Sequence, residues 1–258
     1  MASPLDLPPV GLGTMGIDDP AVIETALDLG YRHLDTAQIY GNEAVVGEGL
    51  ARSAVPREDV TVATKVWADS LAPADVRRTT AESLDRLGLE SVDLLYVHRP
   101  VETYDPDETL PAFDDLRDAG TIRAVGVSNF TVAELETARA VLDAPIAAHQ
   151  VEFHPLFQPD DLLAHAREHG YPLVAYSPLA NGRAGEIDAV VDIAENHDAT
   201  PEAVCLAWLA AKEGVVTIPK ASSAAHLRAN LDAQDLELDP SERERIDAIE
   251  RTDELFPE

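Results

Sequence analysis

The chain has 258 residues, 45% of them hydrophobic, which suits one large globular domain with a substantial buried core. Its 48 acidic residues against 19 basic ones give a formal net charge of −29, so nucleic acid and anionic membrane surfaces are expected to be repelled. No apolar run approaches the ~20 residues of a transmembrane helix. Met1 to Pro8 has neither the basic flank nor the apolar core of a secretory signal, so a cytoplasmic protein is expected.

Cys205 is the single cysteine, which leaves no intrachain disulfide and suggests no cysteine-based metal site. Only Lys65, Lys212 and Lys220 are lysines; the other basic residues are arginines. Many dispersed acids with few lysines point to adaptation to multimolar salt. There the screening length falls to ~3 Å at 1 M and self-repulsion is relieved.

Taken in order, short apolar or β-branched runs alternate with helical patterns. Val10 to Gly13 is a first strand. Asp19 to Gly30 is a helix, with Pro20 in its first turn and Gly30 as its stop. Arg32 to Asp35 is the second strand, and Asn42 to Arg52 the next helix. Val60 to Lys65 is the third strand, followed by a helix from Asp75 to Leu87 that Gly88 ends. Val92 to His98 is the fourth strand, stopped at Pro100, and Asp107 to Ala119 is its helix. Ile122 to Val127 is the fifth strand. Thr131 to Leu142 is a helix, with Thr131 and Glu134 spaced as a capping box. Ala147 to Phe153 is the sixth strand and Pro159 to Glu168 its helix. Leu173 to Tyr176 is the seventh strand. Two helical pieces follow, Ile187 to Asn196 and Pro201 to Lys212, the second capped by Thr200. Val215 to Pro219 is the eighth strand. Ser223 to Leu231 and Pro240 to Ile249 are the last helices. Eight strand–helix pairs without a linker predict a single-domain parallel (β/α)8 TIM barrel.

In such a barrel chemistry sits at the C-terminal ends of the strands. Asp35, Lys65 and His98 end strands two, three and four, and Tyr40 follows Asp35 by five residues. A phenol is a poor acid near neutral pH, and a nearby cation is expected to improve it. Tyr40 can donate a proton to a carbonyl oxygen, Lys65 can stabilise the phenolate, Asp35 can hold Lys65, and His98 can orient the carbonyl. No nucleophile stands beside a base and no metal-ligand spacing is apparent. Acid catalysis of this kind suits hydride delivery from a cofactor.

The motifs Leu34-Asp35-Thr36-Ala37, Tyr40-Gly41-Asn42-Glu43, Thr64-Lys65-Val66-Trp67 and Val97-His98 resemble the aldo-keto reductase superfamily. So do Gly126-Val127-Ser128-Asn129-Phe130, His149-Gln150-Val151-Glu152-Phe153-His154-Pro155, Ala175-Tyr176-Ser177-Pro178-Leu179 and Ile218-Pro219-Lys220. The resemblance spans nearly the whole chain. It implies metal-free, NAD(P)H-dependent reduction of aldehydes and ketones, with Asp35, Tyr40, Lys65 and His98 as the catalytic group. It also implies that Ser128, Asn129 and Gln150 bind the nicotinamide carboxamide and that Tyr176 stacks on the ring. Ser177 and Leu179 would pass along the pyrophosphate, and Lys220, Ser222 and Ser223 would form an anion site before the last barrel helix. No Gly-x-Gly-x-x-Gly segment supports a Rossmann site.

The chain departs from the family beyond Lys220. Ala221 replaces a common serine, and His226 stands where an arginine usually meets the 2′-phosphate; Asn230 matches the adenine-contacting asparagine. NADPH is the expected cofactor, with NADH use left open. The resemblance places Met15, Trp67, His98 and Phe153 around a small-molecule carbonyl substrate, and Arg99 follows His98 where tryptophan is frequent. The chain end at Leu255 to Glu258 lacks a long pocket-closing loop, as in the compact prokaryotic branch that includes 2,5-diketogluconate reductases and general aldehyde reductases. A monomer is expected. The alternatives are an NAD-preferring alcohol or sugar dehydrogenase and a non-catalytic, cofactor-binding redox sensor.

Overall fold

The eight expected strands pair in sequence order, each parallel to the next: β1 (Leu12–Gly13), β2 (His33–Asp35), β3 (Thr61–Val66), β4 (Val92–Val97), β5 (Ile122–Ser128), β6 (Ile146–Glu152), β7 (Leu173–Tyr176) and β8 (Val215–Thr217). A computed structural model describes residues 5–250 and 254–255. Residues 1–4, 251–253 and 256–258, and with them parts of the readings of both chain ends, lie outside the described residues. A parallel bridge between Val10 and Thr217 closes the ring. The Gly11 amide donates to the Thr217 carbonyl (2.8 Å), and the Thr217 amide donates to that of Pro9 (2.9 Å). Closure removes the sheet edges that an open sheet would expose.

Helices alternate with the strands: α1 (Pro20–Leu29), α2 (Glu43–Arg52), α3 (Pro73–Leu87), α4 (Pro106–Asp118), α5 (Val132–Val141) and α6 (Asp160–His169). They continue with α7 (Asp188–Asn196), α8 (Pro201–Ala210), α9 (Ala224–Asp232) and α10 (Pro240–Asp247). The capping box at Thr131 and Glu134 forms as expected, and Thr200 caps α8 by accepting from the Ala203 amide. Helix α3 begins two residues before the expected Asp75, because Pro73 supplies a ready-made first-turn φ after the extended Ala72. Among the described residues no helix is long and apolar enough to cross a membrane.

Period-two alternation splits the strand side chains into two apolar layers. Val62, Val66, Leu95, Val97, Val125 and Val127 face the helices, in the larger cluster. Ala63, Leu94, Tyr96, Ala124, Val174 and Val216 fill the interior, where Leu5 and Leu7 join them. Each fully buried Leu or Val contributes ~1.5–3 kcal/mol. A β-carbon on Gly126 would lie 2.5 Å from the Tyr96 ring, so glycine there lets the ring cross the interior.

Strands β5 and β6 pair with one irregularity. Val125 pairs with Ile146, but Val127 pairs with His149, so β6 carries one more residue than β5 over this stretch. Ala147 and Ala148 both belong to the interior cluster as a result. Beyond them the phase of β6 is reversed.

Candidate active site

Because β3 alternates, Lys65 follows Ala63 into the interior, and its side chain is wholly buried. Its ammonium donates to Asp35 Oδ1 (2.5 Å) and to the Thr36 carbonyl (2.8 Å), and lies 3.5 Å from Tyr40 Oη. Burial pulls the Lys65 ammonium down, but Asp35 and then Tyr40 push it up by more, so it stays charged. The second Asp35 oxygen accepts from Gln150 Nε2 at 2.8 Å. A buried ion pair is thus satisfied on both sides rather than left bare.

Tyr40 sits on a short 3₁₀ turn, Gln38–Tyr40, ended by Gly41 at φ 67°. Three neighbours fix that turn. The Gln38 amide oxygen accepts from the Trp67 backbone (3.1 Å), and its nitrogen donates to Ser83 Oγ (3.1 Å). Asn42 Nδ2 donates to the carbonyls of Thr14 (2.7 Å) and Ile17 (2.9 Å). Glu43, almost wholly buried, accepts from Thr64 Oγ1 (2.5 Å) and Arg86 Nε (2.7 Å). The sequence marked Asn42 and Glu43 only as part of a motif; their role as clamps needed the partners from other elements.

His98 follows β4 and presents its ring edge-on to Trp67 (centroids 4.9 Å apart) and to Tyr40 (6.0 Å). Burial first, then Lys65 and Arg99, push its imidazole down to about 2, so it is neutral at ordinary pH. Its Nδ1 is buried without a hydrogen-bond partner among the described residues, which leaves Nε2 as the nitrogen available to the cavity. Lys65 pulls the Tyr40 phenol down as expected, but burial outweighs that pull and the net direction is upward. The phenol is therefore protonated at neutral pH.

These groups open into a cavity of about 610 Å³. Its lining includes Met15, Trp67, Tyr40, His98 and Arg99, together with Ser128, Asn129, Gln150, Tyr176, Ser177, Leu179 and Lys220. Met15 and Ile39 are each more than half exposed, so this part of the wall is open to solvent. Asn129, at φ 60°, donates to the His98 carbonyl (3.0 Å) and Ser128 Oγ (3.1 Å) and accepts from Tyr176 Oη (3.0 Å). Hydroxyl and amide side chains beside the Tyr176 ring fit the mixed donor and acceptor needs of a carboxamide, and Lys220 sets a cation at the rim.

The structure does not bring every expected residue to the cavity. Phe153 is wholly buried and packs edge-on against Trp208 (5.6 Å), because its position after β6 faces the helix layer; it is a core residue, not a pocket wall. Ser222 and His226 are exposed and stand outside the cavity lining. Asn230 is buried, and its side chain is hydrogen-bonded to the Tyr31 phenol. Ile39, Asn181 and Gly182 line the cavity and had no sequence signal beyond their neighbours; Pro178 lines it too and was marked only as part of a motif.

A closed parallel barrel with a lysine–carboxylate pair beneath a protonated phenol, beside amides suited to nicotinamide, is the layout of an oxidoreductase acting on carbonyl groups. The chain belongs to the aldo/keto reductase family, whose sequence pattern matches residues 9–251. It is 39% identical to methylglyoxal reductase DkgB of Escherichia coli O157:H7, over 96% of this chain and 95% of that protein. It is 33% identical to the oxidoreductase YtbE of Bacillus subtilis, over 98% and 93%. Among solved structures, an aldo-keto reductase from a Medee basin deep-sea metagenome library, MGS-M4, superposes with a TM-score of 0.92 at 32% identity, covering 98% of this chain and 95% of that one. The thermostable aldo-keto reductase Tm1743 superposes at 0.88 and 35%, covering 94% and 95%. The chain is accordingly a nicotinamide-dependent reductase of aldehydes and ketones.

Proposed function

We propose that the chain is an NADPH-preferring reductase of small, structurally varied carbonyl compounds, with Tyr40 as the proton donor. The observation that carries this is the placement of the Lys65 ammonium between Asp35 (2.5 Å) and Tyr40 (3.5 Å) at the floor of the cavity. The reduced nicotinamide supplies the hydride when bound. Ser128, Asn129 and Tyr176 would hold its ring end, and Lys220 its phosphates.

The remaining steps belong to the protein. His98 Nε2 and Tyr40 Oη hold the substrate oxygen. Tyr40 gives up its proton as negative charge develops there. The phenolate that remains lies beside Lys65, whose charge Asp35 secures. Phenolate stabilisation is felt in the transition state and not in the resting phenol, which is where catalysis needs it. The solvent-open wall at Met15 and Ile39 supports a broad substrate range, and the methylglyoxal reductase relative supports small ketoaldehydes within it.

Lys220 supports the NADPH preference, while His226 in place of arginine favours NADH. Initial rates with both cofactors against an aliphatic, aromatic and keto-acid panel decide between them. Tyr40→Phe should lower kcat by about 10²–10⁴-fold with cofactor affinity unchanged; undiminished turnover would overturn the assignment. The charge balance supports a salt-adapted chain, and the reading as a monomer stands beside it; activity in multimolar KCl and sedimentation would check them.

A further inference from the structure

A cluster on the helix layer has no part in the reaction. His165 and His169 are one turn apart on α6, so both rings leave the same face, and Glu136 meets them from α5. Glu136 Oε1 lies 2.7 Å from His165 Nε2 and 3.4 Å from His169 Nε2. One ligand atom from each residue lies within 4.8 Å of the others. We propose that Glu136, His165 and His169 form a binding site for a borderline divalent transition metal such as zinc, stapling α5 to α6.

The distances suit the chemistry. Two ligands on one tetrahedral zinc ion, with bonds near 2.0–2.1 Å, stand about 3.3 Å apart. The His169–Glu136 pair already has that spacing, and the His165–Glu136 pair opens by about 0.6 Å to reach it. A cation already occupies part of the space: Arg139 Nη1 lies 2.8 Å from Glu136 Oε1 and 2.9 Å from His169 Nε2. The lone pairs of both therefore converge on one positive group. Arg139 is partly exposed and can swing into solvent as the metal enters.

His165 is the buried member and carries an outer partner. Its Nδ1 lies 2.7 Å from Tyr171 Oη. When Nε2 binds the metal, the ring proton resides on Nδ1 and is donated to Tyr171, a tautomer change with no net proton transfer. Metal-bound histidines are commonly oriented by such a second hydrogen bond. Two imidazoles and one carboxylate select a transition metal over magnesium, which prefers oxygen ligands. Sequence spacing alone did not signal the site, because the third ligand comes from another helix.

The test uses the full-length protein, with millimolar Mg²⁺ present to saturate the many surface carboxylates. Zn²⁺ is titrated calorimetrically, and Co²⁺ is followed by its visible d–d absorption. The expected result is one Zn²⁺ per chain. Affinity should fall on the order of 100-fold in His169→Ala and at least tenfold in Glu136→Gln, and should rise in Arg139→Gln as the competing cation leaves. Carbonyl reduction should be unchanged in all three. Zn²⁺ binding as tight in His169→Ala as in the parent chain, or a Co²⁺ spectrum indistinguishable from aqueous Co²⁺, would overturn the assignment. All three variants lie at exposed or half-exposed positions, and circular dichroism verifies that they are folded.

Discussion

Gln150 reaches across the barrel from β6 to hold, at 2.8 Å, the Asp35 oxygen that Lys65 leaves open. The sequence suggested a contact to the cofactor for Gln150; its amide nitrogen is also committed to the ion pair. Gln150→Leu should strand that oxygen at a cost of ~1–3 kcal/mol. Urea denaturation should show the loss of stability, and kcat should drop with it. A variant as stable as the parent would mean that the contact contributes nothing.

Lys65 and Asp35 should behave as a unit. Lys65→Met leaves a buried carboxylate without its cation, which costs ~3–5 kcal/mol. Adding Asp35→Asn removes the stranded charge and should recover much of the stability. It should not recover activity, because Tyr40 has then lost its cation. A double-mutant cycle in which both quantities recover together would contradict the role given to Lys65.

Buried neutral histidines set the acid limit. Burial and then its charged neighbours lower His98 to about 2, and His149 is lowered to about 3 chiefly by burial, from an ordinary 6.5; burial moves His33 in the same direction. Below pH 6.5 the unfolded chain takes up protons at these positions and the folded chain does not. Their contribution to stability is therefore complete above pH 6.5 and is lost as pH falls. By pH 5 the loss is ~2 kcal/mol for each of His98 and His149. Denaturation midpoints at pH 7.5 and pH 5 should differ accordingly, and His149→Gln should flatten the dependence by about one proton.

Cofactor choice should depend on Lys220 and on position 226. Lys220→Met should raise the KM for NADPH more than that for NADH. His226→Arg should shift preference towards NADPH by restoring a guanidinium suited to a phosphate. An unchanged KM ratio in both variants would place cofactor discrimination elsewhere.

Salt should stabilise the chain. With a formal charge of −29, raising KCl from about 0.1 M to about 2 M screens self-repulsion, and Tm should rise across that range. Scanning calorimetry measures it directly; a falling Tm would argue against salt adaptation.

The barrel was legible in the sequence because its strands read as short apolar runs and its helices carry their own stops, such as Gly30, Gly88 and Gly170. The gathering of Asp35, Tyr40, Lys65 and His98 was legible for the same reason, since strand ends share one mouth. What escaped depends on three dimensions. Phe153 looked like a pocket residue until its facing was known. The upward direction at Tyr40 follows from how deeply the phenol is buried, which no spacing records. The clamps at Asn42 and Glu43 became visible only through Thr14, Thr64 and Arg86.

The extra residue in β6 makes the facing of Gln150 depend on the bulge. With strict alternation from Ile146, which faces the helices, Gln150 would face them too, and His149 would turn inward. Deleting either Ala147 or Ala148 would remove the extra residue and let plain alternation carry His149 outward and Gln150 inward. One residue more would do the opposite and turn Gln150 away from Asp35 unless a second bulge absorbed it. Between Ile146 and Gln150 this strand can lose a residue and keep its site, but it cannot freely gain one.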